Sequence, residues 1–402
     1  MNQYNVLLIE DDIFQRSLLQ KQLMSLIDCK VQLSGDGEEA LSLLNGYEPD
    51  IIFCDLNLPN IDGVELVRAI AQKDINSSIV LMSAEASDII SSVKTMSEVY
   101  GLKNVHMLQK PMGIKAINGI LNDIKNDFTT CNKTTEPHLV FTENDIKLAL
   151  SSGQLIAYYQ PQIDSKSRVV SGAEALLRWH HPEYGILTPN IFIDKIVDRE
   201  LCENLTHLIT RLAIKECKKW HDNGHFISIS INVTPSDLMN LAFPDYILSL
   251  LGTYNLEPKY LSLEVVESEI TQDLAKYLDT LSRLRLKGIN TSIDDFGTGS
   301  ASLIQLITSP FSELKIDMSF VKKMFEDKKY MIAVKATISL AKQLELKVVA
   351  EGVEQHRHAS FLSALGCDIL QGYLFSKPLA SDEIDNFLNK HAELNNLLTA
   401  AI

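Results

Sequence analysis

The chain has 402 residues, of which 46% are apolar and 22% charged, and its formal net charge is -15. That length allows two or more domains with separate cores, and the composition is too apolar for a disordered chain. The acidic balance holds in both parts, with 10 Lys and Arg against 17 Asp and Glu over residues 1–125, which excludes a basic nucleic-acid-binding module because phosphate affinity needs clustered cations.

In chain order, short apolar runs at Val6–Ile9, Val31–Leu33, Ile51–Cys54, Ile79–Met82 and Val105–Leu108 are predicted strands. Segments with helical spacing lie between them, such as Glu38–Leu44 and Val64–Ile70. This alternation predicts a doubly wound, five-stranded parallel sheet over residues 1–125, with ligands beyond the carboxyl ends of the strands. Residues 126–142 read as a linker, since Asn126–His138 is polar, rich in Thr and Asn, and carries a Pro near its end. A helix is expected to start at Thr142, with Asp145 three residues on as a partial capping box.

Over residues 143–402 the rhythm changes. Eight predicted strands follow: Ala157–Ile163, Val169–Arg178, Phe226–Val233, Leu261–Glu267, Ile289–Asp295, Glu313–Asp317, Lys347–Val353 and Ile369–Phe375. Helical stretches such as Leu201–Trp220 and Tyr330–Leu344 separate most of them, which suggests a (β/α)8 barrel. Only Asp164–Arg168 joins the first two strands, too short for a crossover, so that pair is expected to be antiparallel and the barrel modified.

In the first domain, Glu10, Asp11 and Asp12 follow the first strand, Asp55 ends the third, Ser83 the fourth, and Lys110 with Pro111 the fifth. Each has a task if the chemistry is phosphoryl transfer to a carboxylate. Glu10 and Asp11 would hold one Mg²⁺, Asp55 would be the nucleophile, Lys110 would pair with the phosphate and Ser83 would donate a hydroxyl to it. Asp12 alone reads as a helix cap. The pattern IEDD…CDLNLPNIDG…MSA…KP resembles the receiver domain of bacterial response regulators. The resemblance implies that Asp55 accepts the phosphoryl group, that Asn57 lends a backbone carbonyl to the metal alongside Asp55, and that Ser83 and Lys110 form the switch. Met107 stands where the family usually has an aromatic residue.

In the barrel, strand parity puts Ser228, Ser230 and Asn232 on one face, Ser262 with Glu264 on another strand, and Glu174 with Leu176 and Arg178 on a third. With Asp294, Asp295, Lys315, Glu351 and Gln371 these form a ring at the barrel mouth, where barrel enzymes keep their chemistry. An all-oxygen set of carboxylates suits Mg²⁺ or Mn²⁺, and two such ions fit phosphodiester hydrolysis. Arg178 suits a phosphate and Gln160 a base edge or phosphate. Glu267 and Glu354 read either as support behind the ligands or as structural acids. His180 and His181 read as structural.

The motifs YYQPQ, GAEALLRW, INVTP, LEVVES, DDFGTGSASL, LKID, EGVE and QGYLF resemble the EAL family of cyclic di-GMP phosphodiesterases. By that resemblance Glu174, Asn232, Glu264 and Asp294 are metal ligands and Asp295 serves a second metal. Lys315 positions the hydrolytic water, and Glu351 is the general base or an indirect ligand. Gln160, Leu176, Arg178 and Gln371 face the substrate, and the product is linear pGpG. The DDFGTG loop is implied to couple metal binding to a dimer interface, so a homo-oligomer is expected. Thr234 and Ser300 depart from the family's usual Ser and Tyr.

The chain therefore reads as a response regulator whose partners are cyclic di-GMP and a sensor histidine kinase or phosphotransfer protein, with no DNA and no membrane. Readings of another class are a non-catalytic cyclic di-GMP receptor and an interaction regulator on the same fold. The six cysteines form no CxxC pair, and no signal peptide or membrane-length apolar run stands out, so a cytoplasmic location is expected.

Overall fold

The computed structural model describes residues 3–73, 75, 77–84, 87–102, 104–131, 141–193, 196, 198–266, 273–298 and 303–400. The chain divides into two compact units, Met1–His138 and Leu139–Ile402.

In the first unit, β1 (Tyr4–Ile9), β2 (Cys29–Ser34), β3 (Ile51–Asp55), β4 (Ser78–Ser83) and β5 (Val105–Gln109) form a parallel sheet in the order β2-β1-β3-β4-β5. The central strands read as continuous apolar runs because both faces are covered. Leu7, Ile9, Ile52, Cys54, Ile79 and Leu81 pack with Val67 and Ile70, while Val6, Leu8, Ile51, Phe53, Val80 and Met82 pack with Leu19, Leu23, Ile117 and Leu121. Asp12, Asp36 and Asp62 cap three helices, each accepting a backbone N–H at 2.8 Å. The helix Ile114–Cys131 runs into the segment predicted as linker, and residues 132–140 lie outside the described residues.

In the second unit, the capping box at Thr142 and Asp145, expected to be partial, is complete and opens the helix Glu143–Ser151. Then come β6 (Leu155–Asp164), β7 (Val170–His181), β8 (Gly185–Leu187), β9 (Ser228–Val233), β10 (Leu261–Val266), β11 (Asn290–Phe296), β12 (Glu313–Ile316), β13 (Lys347–Ala350) and β14 (Ile369–Gln371). All but β8 close into an eight-stranded ring in the order β6-β14-β13-β12-β11-β10-β9-β7, with β7 returning to β6. Strand β6 is antiparallel to both neighbours, and the remaining ring pairs are parallel. The predicted antiparallel pair is present because the short turn after β6 cannot hold a crossover. Strand β8 is an addition that pairs outside the ring with the end of β7.

Several predicted strands were too long. Strand β9 starts at Ser228, and β12, β13 and β14 end before Asp317, Glu351 and Gly372. Asp317 instead caps the helix Met318–Lys323, and Glu351 opens a loop that β12 holds through Glu351 N–H to Ile316 O at 3.1 Å. Among the described residues, no helix is long and apolar enough to cross a membrane.

Gly63 shows how tightly the receiver-like unit packs behind Asp55. A Cβ there would lie 2.4 Å from the Asp55 carbonyl oxygen and 2.6 Å from Leu56 Cα. Gly119, inside the helix Ile114–Cys131, meets nothing within 4 Å. Gly63→Ala is therefore expected to destabilise this unit by about 1–3 kcal/mol, and Gly119→Ala to stabilise it by about 0.5–1 kcal/mol. Urea unfolding of the two variants checks the opposite signs.

Candidate functional site

Nine of the barrel residues singled out above converge at the carboxyl ends of the strands. Lys315, on β12, is 1% exposed and stands at the centre. Its Nζ lies 2.6 Å from Glu264 Oε2, 2.6 Å from Glu351 Oε1, 3.2 Å from Asp294 Oδ1 and 3.6 Å from Glu174 Oε2. Glu174 also accepts from Asn232 Nδ2 at 2.9 Å and from Gln371 Nε2 at 2.6 Å. Gln160 joins through its Oε1, which accepts from Gln371 Nε2 at 3.2 Å.

Asp294 and Asp295 are consecutive, and a regular strand would send them to opposite faces. The β11–β12 register shifts between Ile293 and Phe296, and Asp295 adopts a left-handed backbone with φ 54°. This irregularity brings carboxylate oxygens of Asp294, Asp295 and Glu351 within 4.8 Å of one another, a donor set that fits a hard divalent cation.

Burial pushes the Glu351 carboxyl up to about 8, with Asp294 and Glu174 adding to the rise and Lys315 opposing it. Burial likewise raises Asp295 to about 6, helped by Asp294 and Asp317. Burial raises Glu264 well above the usual carboxyl range. Glu174 moves the other way: burial would raise it, but Lys315 and the amides of Gln371 and Asn232 outweigh that. Burial disfavours the Lys315 ammonium, yet the surrounding acids hold it firmly charged.

Above this cluster opens a cavity of about 280 Å³ whose wall includes Gln160, Glu174, Leu176, Asp294, Glu351 and Gln371. Glu354, read from sequence either as support behind a ligand or as a structural acid, lies on the wall of the same cavity and pairs with Lys322 at 2.9 Å. Arg178 follows Leu176 on β7 with its guanidinium carbon 5.9 Å from the Tyr158 ring centre. Glu267 and Ser300 lie outside the described residues. His180 and His181 belong to the β7–β8 hairpin, where His181 Nδ1 accepts backbone N–H groups of Glu183 and Tyr184 at 3.1 and 3.2 Å, a structural role.

Sequence reasoning missed Gln162, whose Nε2 donates to Gln371 Oε1 at 2.9 Å and so orients the amide that holds Glu174. Its parity with Gln160 on β6 was the available signal. The EGVE and QGY turns were also not foreseen as backbone constraints. A Cβ on Gly352 (φ 62°) would lie 2.4 Å from Met318 Cβ, and one on Gly372 would lie 2.3 Å from Val353 N.

In the other unit, Lys110 Nζ lies 2.6 Å from Asp55 Oδ2 and 2.8 Å from Glu10 Oε2. Carboxylate oxygens of Glu10, Asp11 and Asp55 fall within 4.8 Å of one another, again a set that fits a divalent cation. Burial raises the Glu10 carboxyl and Asp55 adds to the rise, while Lys110 opposes it. Asn57 N–H donates to Asp55 Oδ1 at 3.2 Å. Ser83 is buried at the end of β4, and its carbonyl accepts the Lys110 N–H at 2.8 Å. Asp12 is a helix cap, and Met107 packs half-buried against the sheet's core.

The EAL domain family matches residues 143–378 and the response regulator receiver domain family residues 6–122. The cyclic di-GMP phosphodiesterase RocR of Pseudomonas aeruginosa is 31% identical over 380 residues, covering 94% of this chain and 97% of RocR. The chain belongs to the receiver–EAL family. Among solved structures of EAL proteins, the PaMucR phosphodiesterase in complex with c-di-GMP is 36% identical with a TM-score of 0.57, covering 60% of this chain and 98% of that one. An EAL domain protein from Listeria monocytogenes EGD-e is 30% identical with a TM-score of 0.55, covering 62% and 98%.

In this EAL barrel the raised acids bind protons more readily folded than unfolded. The stability they contribute is full below the ordinary carboxyl range and is lost as the pH climbs through about 6 for Asp295 and about 8 for Glu351. Lys315→Met would remove the only cation bonded to Glu264, Asp294 and Glu351 among the described ion pairs. It is expected to destabilise the barrel by about 3–5 kcal/mol at pH 9 and by clearly less at pH 5, where the raised Glu264 and Glu351 carboxyls take up protons. Urea unfolding of the full chain at the two pH values checks this, and an equal loss at both would count against it.

Proposed function

We propose that this chain hydrolyses cyclic di-GMP to linear pGpG in its barrel, under control of phosphorylation at Asp55. The observation that carries the catalytic part is the buried set of Glu174, Glu264, Asp294 and Glu351 around Lys315, opening on one cavity at the strand ends.

Glu174, Asn232, Glu264 and Asp294 would hold one Mg²⁺ or Mn²⁺, and Asp295 with Asp294 and Glu351 a second. Bound there, such ions supply Lewis-acid polarisation of the phosphodiester and a more acidic water. Glu351, raised to about 8, is matched to accept a proton from water near neutral pH. The Lys315 ammonium, 2.6 Å from Glu351, fixes that carboxylate and positions the water beside it. Arg178, on the same face of β7 as Glu174 and Leu176, would fork onto phosphate oxygens. Gln160, Leu176 and Gln371 shape the wall on which the dinucleotide rests.

In the receiver domain, Glu10, Asp11, Asp55 and the carbonyl of Asn57 would hold one Mg²⁺. Asp55 attacks the phosphoryl donor, a sensor histidine kinase or phosphotransfer protein, and Lys110 and Ser83 then bind the new phosphate. By the family resemblance of the DDFGTG loop, the chain would assemble as a homo-oligomer.

The full chain with Mg²⁺ or Mn²⁺ is expected to convert cyclic di-GMP to pGpG, resolved by anion-exchange chromatography, and Glu174→Ala or Glu351→Ala to lower kcat by about 10²-fold or more. Tight binding of the dinucleotide without any turnover would make the chain a receptor. Acetyl phosphate or beryllofluoride is expected to change the rate of the native chain and to leave Asp55→Ala unaffected. An unchanged response in Asp55→Ala would remove Asp55 from the switch.

A further inference from the structure

The cavity proposed to take a doubly charged dinucleotide has Glu174, Asp294, Glu351 and Glu354 on its wall, in a chain of net charge -15. A dianion approaching such a mouth is repelled at long range unless a nearby surface has the opposite sign. One such surface stands beside it. Residues 318–343 carry six lysines against two acids. They form the helices Met318–Lys323 and Lys328–Gln343 after β12, and the helix His356–Ala364 follows β13. In a barrel the helix after a strand starts near the carboxyl end of that strand. Lys323, Lys328 and Arg357 therefore stand on the rim that holds the cavity, whose wall includes Met318 and Lys322 of the first helix.

The way these cations are held leaves their charge free to act outward. Lys323 Nζ lies 5.4 Å from the centre of the Tyr330 ring, and Arg357 Cζ 5.0 Å from that of Phe325. The rings are themselves packed, Tyr330 on Phe320 with centres 5.5 Å apart and Phe325 on Phe361 at 5.2 Å. A carboxylate partner would cancel a cation's field a few ångströms away. An aromatic face anchors the cation through its quadrupole and leaves the net charge in place. Among the described ion pairs none involves Lys323, Lys328 or Arg357, whereas the neighbouring Lys322 is matched to Glu354. The two acids, Glu326 and Asp327, precede the helix start that Asp327 caps by accepting the Lys329 N–H at 2.8 Å, where the helix dipole offsets part of their charge.

We propose that Lys323, Lys328 and Arg357 form an electrostatic guide that draws the dianionic cyclic dinucleotide to the mouth and raises its association rate, without touching it once bound. This role rests on the dinucleotide reading above and adds to it how the substrate reaches the site. Charges that act at range alter association and its salt dependence, and leave dissociation and turnover as they are.

Stopped-flow association of cyclic di-GMP carrying a methylanthraniloyl label on one ribose, measured on the full chain with Mg²⁺, tests the guide beside an assay of pGpG formation. The triple variant Lys323→Gln, Lys328→Gln, Arg357→Gln is compared with Lys166→Gln, Lys287→Gln, Lys347→Gln. The second set removes the same charge from exposed lysines at the opposite end of the barrel, in the turn after β6, before β11 and at the start of β13. At about 10 mM salt, where the screening length is about 30 Å, the rim variant is expected to associate about threefold or more slowly than the native chain. At about 1 M salt, where that length is about 3 Å, the two should agree. The opposite-end variant should stay near the native rate, and dissociation and kcat should be native in both. Equal slowing by the two triple variants would trace the effect to net charge and overturn the proposal. So would a native association rate that does not fall as salt rises, or a loss in the rim variant that persists at high salt and lies in dissociation. If the chain bound the probe but released no pGpG, the hydrolytic reading would fall, while the association rates would still decide the guide.

Discussion

The barrel depends on one buried ammonium. Lys315 is almost wholly removed from water, which by itself disfavours its charge, and it keeps that charge only because Glu174, Glu264, Asp294 and Glu351 surround it. The dependence is mutual, because four carboxylates placed so close would otherwise be driven to take up protons. Strand geometry makes the arrangement possible: the parallel strands of the closed ring deliver inward side chains to the same mouth, so the chemistry is spread over β7, β9, β10, β11 and β12 and the loop after β13.

The same solution occurs in the first unit. Lys110, at the end of β5, bridges Asp55 and Glu10 at 2.6 and 2.8 Å. Here the lysine is nearer the surface and Asp11 is exposed, so the cluster is open to a partner molecule. The deeper cluster of the barrel faces a cavity that only a small ligand can enter. In each unit a lysine holds acids together at the carboxyl ends of parallel strands.

Much of this was legible in the sequence, for a physical reason. Parallel strands buried on both faces leave continuous apolar runs, and the polar residue that ends each run must lie at the functional edge. Asp55, Ser83 and Lys110 could be placed that way, and strand parity placed Glu174, Asn232 and Glu264 on the inward face. What the sequence hid were departures from regularity. Alternation alone would have parted Asp294 from Asp295, and only the register shift in β11 with φ 54° at Asp295 brings them together. The lengths of β13 and β14 were overread because Val353 and the residues after Gly372 are apolar, although they pack in turns whose glycines touch neighbouring backbone. Lys322 carried no signal at all, since a lysine on a short helix looks like any solvated one until a cavity wall is seen beside it.

The inverted strand β6 explains a difference that burial alone cannot. Glu174 and Glu264 are both buried beside Lys315, yet Glu174 is held below the usual carboxyl range and Glu264 well above it. Because β6 runs antiparallel to both neighbours, Gln160 lies directly across from Glu174 and Gln162 across from Gln371. Gln162 fixes the Gln371 amide, which donates to Glu174 at 2.6 Å while Asn232 donates to the other carboxylate oxygen at 2.9 Å. Glu264 receives no amide donor among the described hydrogen bonds: Lys315 bonds its Oε2, and its Oε1 has no partner there. Amide donors favour the charged form of a carboxylate without adding charge of their own. The one antiparallel strand thus decides which acid carries the negative charge at the site and which is left to the proton.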